Sequence, residues 1–208
     1  AAALASFGVE EVDLYVSAGR PGFARALAGE TPILCLGADV AGAATPQLRF
    51  QLARAIATLA DGIAALPDLR EGELAWTIAA ALRALELPLA EDLAERVAGD
   101  ETGIAERAKL LKKELGRKAK AAVQQLARTK AGELADVDAF RRAANLAGSR
   151  AGLLWAGDLA TALAVLDVGK GGRSLADFPA ALELVPCSMS DAYLGLRARL
   201  GVRIGGRT

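Results

Sequence analysis

The chain has 208 residues, enough to bury one sizeable hydrophobic core, and we expect residues 1–208 to form a single domain. Its 25 basic and 25 acidic side chains leave no net charge, which excludes a general electrostatic attraction to nucleic acids or anionic membranes. The apolar fraction is 53% and is rich in alanine, whereas aromatic residues make up 4% of the chain, a composition that favours closely packed helices. We therefore predict a mainly α fold.

Two apolar segments near the amino terminus predict a small β-hairpin or sheet. Residues 9–18 alternate apolar and polar side chains, which is the period of a half-buried strand with Leu14 and Val16 on the buried face. Glycines and a proline in residues 19–22 predict a turn. The apolar run over residues 32–37 predicts a second strand that is more deeply buried. We therefore expect an α+β arrangement in which this small amino-terminal sheet precedes a helical body.

The rest of the chain predicts helices. Thr45 followed by Pro46 is a strong helix start, since a hydroxyl can cap the first turn and proline fits the first helical position. Leu48, Leu52 and Ile56 then recur at helical spacing and predict a buried stripe. Further helices are predicted over residues 71–86, 89–97, 103–134 with a break at Gly116, 138–156, 158–166, 175–184 and 190–200.

The helix that follows Thr45 resembles the active-site helix of zinc peptidases. In those enzymes two histidines one helical turn apart hold the metal, and a glutamate between them takes a proton from the bound water. Arg54, Ala55 and Thr58 stand at the positions of the first histidine, the glutamate and the second histidine, and the chain contains no histidine. We therefore predict no metal site, no cofactor and no enzymatic activity.

A later segment extends the resemblance to the gluzincin peptidases, the group that includes the CAAX prenyl proteases and the heat-shock peptidase HtpX. Asn145 stands where these enzymes have the glutamate that is the third zinc ligand, and Ser149 stands at the aspartate that orients the ligands. The resemblance implies a degenerate, zincin-like pseudoenzyme that acts in protein binding or as a scaffold. Because the chain begins with alanine and not methionine, we expect it to be a piece of a longer bacterial protein, such as the family members fused to tetratricopeptide repeats.

Two polar stripes support a cluster at the same place without the resemblance. If the two helical faces meet, a group of hydrogen-bonded side chains would take the place of the metal, with Arg54 as a fixed cation. The alternative is that both stripes face solvent as ordinary surfaces. The first stripe consists of Gln47, Gln51, Arg54 and Thr58, and the second of Asp138, Arg141 or Arg142, Asn145 and Ser149.

The resemblance also implies where a protein partner would bind. Peptidases of this type hold extended peptides by adding a strand to a sheet edge, which points to the groove between the second strand and the helix after Thr45. The candidate partner-binding residues in this groove are Ile33, Leu34, Leu36 and Gly37.

The basic segment 109–130 predicts an alternative binding surface. A helical hairpin of this charge would bind an acidic protein or an anionic surface, and salt would weaken that binding steeply. Nucleic acid is a poorer partner because no aromatic residue is interleaved to stack on bases, and a plain solvated hairpin is the remaining interpretation. The candidate residues are Lys112, Lys113, Arg117, Lys118 and Lys120.

Other classes of function have weaker support in the sequence. An enzyme of another class would need carboxylates such as Asp61, Asp138 and Asp158, but their spacing does not form an evident catalytic pair. We predict no small-molecule substrate. Cys35 and Cys187 form no paired motif and are predicted to be free thiols. No apolar run approaches the length that spans a bilayer.

Overall fold

The structure is a computed structural model that describes residues 2–19, 23–38, 45–70, 72–130, 136–168, 171 and 174–202. Within these residues the fold is mostly helical with a small sheet near the amino terminus, which confirms the predicted fold class. Residues 20–22 of the predicted turn and 131–134 of a predicted helix lie outside the described part. None of the described helices is both long enough and apolar enough to cross a membrane.

The predicted helices and strands occur in the predicted order, and the structure adds a short helix over Ala2–Ser6 and a strand over Ala24–Leu27 that were not predicted. The break predicted at Gly116 is confirmed, because one helix ends at Glu114 and the next begins at Arg117. The strands are β1 (Asp13–Ser17), β2 (Ala24–Leu27) and β3 (Ile33–Gly37). The described α-helices are α1 (Ala2–Ser6), α2 (Pro46–Ala60), α3 (Glu73–Ala84), α4 (Glu91–Arg96), α5 (Glu101–Glu114), α6 (Arg117–Thr129), α7 (Val137–Ala156), α8 (Leu159–Val165), α9 (Pro179–Ser188) and α10 (Asp191–Arg199).

The sheet has three strands in the order β1-β3-β2. β1 runs parallel to β3, with Leu14 opposite Leu34, and β2 runs antiparallel to β3, with Ala26 also opposite Leu34. β2 was not predicted, because alanine and arginine have little intrinsic preference for strands. Its pairing with β3 supplies the hydrogen bonds that the local sequence does not signal.

The chain divides into two compact units, of which the first comprises Ala1–Ala65 and Arg142–Thr208. In this unit α2 packs on the sheet, with Ala55 and Ile56 in one buried cluster with Ala26 and Leu34. A second cluster joins four elements through side chains that are fully buried. Its members are Phe50 of α2, Leu153 of α7, Ala162 of α8 and Leu184 of α9.

Two glycines of α7 allow α2 to approach it closely. A β-carbon at Gly152 would lie 2.7 Å from the ring of Phe50 and 2.9 Å from its carbonyl oxygen. A β-carbon at Gly148 would lie 3.2 Å from Cγ of Arg54. Because the later glycine meets the earlier residue of α2, the two helices run in opposite directions where they cross. This contact brings Arg54 against α7.

A buried arginine closes the carboxyl end of α7. The guanidinium of Arg197 is 2% exposed, and its Nη1 donates to the carbonyl of Leu154 at 3.2 Å while its Nη2 donates to that of Val202 at 3.1 Å. Nη1 also donates to the hydroxyl of Tyr193, which donates to the carbonyl of Leu153. A cation is favourable here because unpaired carbonyls make the end of a helix negative.

The second compact unit comprises Leu66–Arg141. Its core consists of the buried face of α3, with Ala79 and Ala80 fully buried, and of Leu93, Ile104 and Ala108 from α4 and α5. Compactness alone does not decide whether a unit folds independently, so the single domain stays a prediction.

Candidate functional site

Two of the five positions that the resemblance singles out meet in the structure. Nη2 of Arg54 on α2 donates to Oδ1 of Asn145 on α7 at 3.5 Å. Among the described residues, no carboxylate pairs with this guanidinium, and burial lowers the pKa of Arg54. A hydrogen bond of this length is weak, so the partly buried charge of Arg54 is poorly compensated.

The other three positions do not join this contact. Ala55 is buried against the sheet, and the hydroxyl of Thr58 donates to the carbonyl of Ala55 in its own helix at 2.7 Å. Ser149 is fully buried, and its Oγ has no hydrogen-bond partner among the described residues. Of these five positions, the described hydrogen bonds therefore join only Arg54 and Asn145.

The first residues of the second polar stripe form contacts within the second unit. Asp138 forms an ion pair with Arg96, and Nη2 of Arg141 donates to the carbonyl of Leu69 at 2.8 Å. In the described residues, neither of these side chains is hydrogen-bonded to Arg54. The second polar stripe is continuous in sequence, but its first residues form contacts in the second unit, whereas Asn145 contacts Arg54.

The described residues offer little for metal or acid–base chemistry. Nowhere among them do three cysteine, aspartate or glutamate side chains come close enough to share a metal ion. Both cysteines are free thiols, and each is partly buried. The Arg54–Asn145 pair consists of one cation and one amide, which can bind a ligand, and neither group is a nucleophile or a general base.

A shallow cleft in the second unit, with a volume of about 230 Å³, also contains two carboxylates. Both serve the backbone, because Asp100 accepts from the amide of Gly103 at 3.1 Å and Glu73 accepts from the amide of Arg70 at 2.7 Å. They therefore act as helix and turn caps and not as an acid–base pair. The cleft is lined by Glu73, Trp76, Asp100, Gly103, Ile104 and Arg107.

The candidate groove residues on β3 lie in the middle of the sheet. Leu34 and Leu36 are buried at 3% and 5% exposure, Gly37 is buried and Ile33 is partly buried. β3 pairs with β1 on one side and with β2 on the other. A peptide could add to β3 only by displacing one of these neighbours, so strand addition requires a different strand of this sheet.

β1 offers an open edge that the sequence pattern did not reveal. The prediction that Leu14 and Val16 are buried is wrong, because they are 62% and 55% exposed. Alternation correctly assigns both residues to one face of the strand, but it does not show whether anything covers that face. The buried cluster on this side of the sheet joins α2, β2 and β3, and Leu4 of α1 and Val12 pack against it, whereas Leu14 and Val16 are not among its described members.

The five candidate residues of the basic segment differ in their surroundings. Lys112 and Lys120 donate to the same oxygen of Glu86 at 2.9 and 3.2 Å, and these hydrogen bonds hold the pKa of Glu86 below its usual range. Lys113, Arg117 and Lys118 are exposed and have no ion-pair partner in the described part of the chain. Three of the five cations are thus free to meet a partner.

Comparisons with known proteins return no relative: no family model matches the chain, and no curated protein and no solved structure matches it. The resemblance to gluzincin peptidases therefore stays a prediction.

Proposed function

We propose that this chain is a protein-binding module that holds an extended peptide segment by adding it as a strand to β1. The observation that carries the proposal is the open edge of β1 with its exposed apolar side chains. We propose a binding role and not a catalytic one, since Arg54, Ala55 and Thr58 offer neither metal ligands nor a general base where the resemblance would place them. The pseudopeptidase origin remains part of the proposal.

The outer side of β1 carries backbone hydrogen-bonding groups that have no backbone partner among the described residues. The amide of Asp13 donates to the carbonyl of Pro32, and the carbonyl of Ser17 accepts from the amide of Ala38, so these two residues direct their backbone toward β3. Successive residues of a strand alternate in this respect. The N–H and C=O groups of Leu14 and Val16 therefore point away from the sheet, where an added strand can pair with them.

The side chains of β1 favour a peptide with alternating apolar residues. Leu14 and Val16 lie opposite Leu34 and Leu36, and register partners in a parallel pair share a face. The exposed pair therefore extends the buried apolar surface of β3 outward. An added strand that places its own apolar side chains on this face would cover Leu14 and Val16, and each side chain that becomes fully buried contributes about 1.5–3 kcal/mol.

The charges near β1 favour a basic peptide. Glu10, Glu11 and Asp13 are exposed at the start of the strand and have no ion pair among the described residues. Lysine or arginine at the end of the peptide that lies near Asp13 would complement this acidic group and fix the peptide's direction. The preferred ligand is thus an extended segment that combines alternating apolar residues with a basic end.

The proposal is tested by fluorescence anisotropy with a labelled peptide that alternates valine with threonine and ends in lysines. Val16→Pro removes one outward N–H from an edge strand, a position where proline is tolerated. We expect this variant to lose at least about tenfold in affinity, equivalent to 1.4 kcal/mol, with an unchanged thermal unfolding midpoint. Leu182→Lys is the matched control, because it changes an exposed leucine on α9.

A second ligand separates backbone pairing from plain apolar adhesion. The same peptide with methylated backbone nitrogens retains its side chains but cannot donate hydrogen bonds to β1. We expect it not to bind. Equal binding of the methylated and unmethylated peptides would contradict strand addition.

A further inference from the structure

Helix α6 presents its apolar stripe to solvent and faces the protein with Lys120, Gln124 and Ala127. Val123 and Leu126 are 40% and 61% exposed, and Ala119 and Ala122 on the same helical face are also exposed. These four residues have the spacing i, i+3, i+4 and i+7 that normally marks a buried face. This arrangement leaves an apolar helical surface, which we name the α6 stripe, without a partner in its own unit.

Polar contacts hold α6 in this orientation. Gln124 donates to the carbonyl of Leu85 at 2.6 Å, Lys120 donates to Glu86 at 3.2 Å, and Ala127 is buried. Residues 120, 124 and 127 share one face of the helix, so the inward direction is set by them and not by Val123 and Leu126. The exposure of the stripe is thus fixed by specific hydrogen bonds.

Two lysines flank the α6 stripe on the helical wheel, Lys118 on one side and Lys120 on the other, whereas Arg117 and Arg128 lie on the opposite face of the helix. Between Lys109 and Lys130 the sequence has eight basic residues and one acidic residue. Lys118 is exposed and without an ion pair among the described residues, and Lys120 pairs with Glu86 at 3.2 Å. A partner that buries the stripe must therefore bring negative charge to its rim.

We propose that the α6 stripe binds an acidic amphipathic helix of another protein. A helix offers apolar side chains at the same spacing as the stripe, and the methyl groups of Ala119 and Ala122 allow its backbone to approach closely. A second copy of this chain does not fit, since its own α6 would bring the same positive charge. A bilayer fits less well, because α6 lacks the aromatic and large apolar side chains of interfacial helices.

This binding site is independent of the proposed function, because α6 lies in the second compact unit and β1 lies in the first. The helix-binding experiment therefore includes Val16→Pro, which should leave binding at α6 unchanged. Loss of both activities in that variant would indicate unfolding, and thermal unfolding would detect it.

The test uses the whole chain and a labelled synthetic helix with leucine on one face and glutamate on the other. We expect binding tighter than about 1 mM that weakens as salt is raised. Leu126→Gln should lower the affinity at least about tenfold, and Lys118→Gln should lower both the affinity and its dependence on salt. Leu182→Gln and Arg199→Gln remove an exposed leucine and an exposed arginine from other helices and should have no effect.

Three results would overturn the proposal. An unstructured polyglutamate peptide that binds as tightly as the helix would show that charge alone is recognised. Phosphatidylserine vesicles that bind while the helix does not would identify a membrane surface as the partner. Unchanged helix binding by Leu126→Gln, or no helix binding at all, would show that the α6 stripe is not the site.

Discussion

Leu14 of β1 and Leu34 of β3 are register partners on one face of the sheet, yet Leu14 is 62% exposed whereas Leu34 is 3% exposed. The apolar surface of the sheet thus continues beyond the part that α2 and β2 help to bury. An edge strand with exposed apolar side chains is a template for pairing with another chain. In the proposed strand addition, the added peptide would cover Leu14 and remove this unfavourable exposure.

The crossing of α2 and α7 predicts opposite outcomes for two glycine substitutions. Gly152→Ala would place a β-carbon against the ring and carbonyl of Phe50, and we expect it to lower the free energy of unfolding by about 2 kcal/mol. At Gly148 the new methyl group would meet Arg54, whose Cγ lies at 3.2 Å in a flexible side chain and whose carbonyl oxygen lies at 3.8 Å, an ordinary contact distance. Gly148→Ala should therefore be neutral or stabilising by up to about 1 kcal/mol, because alanine is the better helix former. Urea unfolding checks the pair, and similar effects at both positions would contradict the described crossing.

The end of α7 predicts a severe effect of Gly157→Ala. Gly157 has a positive φ of 70°, and a β-carbon there would lie 2.7 Å from Cζ of the buried Arg197. We expect a loss of about 2–4 kcal/mol, which combines backbone strain with displacement of the guanidinium. Gly62 has the same φ with no atom near the added carbon, so Gly62→Ala should show only the strain, about 1 kcal/mol. Equal losses in the two variants, measured by urea unfolding, would mean that Arg197 does not occupy this space.

The poorly compensated charge of Arg54 predicts that a neutral side chain is tolerated. Arg54→Met keeps the aliphatic contact with α7 and removes the desolvated cation, so we expect the free energy of unfolding to rise by about 0.5–1 kcal/mol. Arg49→Met is the same change at an exposed position of α2 and should have no effect. Thermal and urea unfolding provide the measurement. A marked loss of stability in Arg54→Met would show that the contact with Asn145 is stronger than its length of 3.5 Å implies.

The cap of α8 predicts a pH dependence. Asp158 accepts hydrogen bonds from the hydroxyl of Thr161 and from the amides of Thr161 and Ala160, and the hydroxyl contributes most to lowering the pKa of Asp158. Because the pKa is lower in the folded state, the resulting stabilisation is present above the unfolded value of about 4 and is lost as the pH falls through the folded value.

Asp158→Ala should therefore cost about 1 kcal/mol near pH 7, and this difference from the unmodified chain should shrink below about pH 4. Urea unfolding across this range gives the curve. Asp191→Ala is the control. It removes an exposed carboxylate in the first turn of α10 that caps nothing in the described structure, because Ser190 caps that helix. A difference at Asp158 that stays constant down to pH 2 would contradict the assigned role.

The sequence predicted the parts of the fold that depend on local signals. Thr45 accepts a hydrogen bond from the amide of Leu48 as expected, and Asp158 and Ser190 cap the helices predicted to begin at these residues. It missed β2, whose alanines and arginine become a strand only because β3 lies beside them. Pairing between segments that are distant in sequence leaves no periodic pattern.

The candidate sites were harder to predict, because burial depends on neighbours that the sequence does not show. The alternation in β1 and the helical spacing in α6 both identify an apolar face, and in both cases that face is open to solvent. Arg197 lies on a short helix without a distinct apolar face, and nothing near it in sequence signals that its guanidinium is buried. Gly157 and Asp158, which follow α7, do indicate in the sequence that this helix ends there.

Hydrogen exchange of the β1 amides, followed by nuclear magnetic resonance with and without the valine–threonine–lysine peptide, tests the central claim most directly. We predict that the peptide slows exchange at Leu14 and Val16, whose N–H groups point outward, and leaves Tyr15 unchanged because its amide faces β3. Unchanged exchange at Leu14 and Val16 in the presence of bound peptide would contradict strand addition at β1.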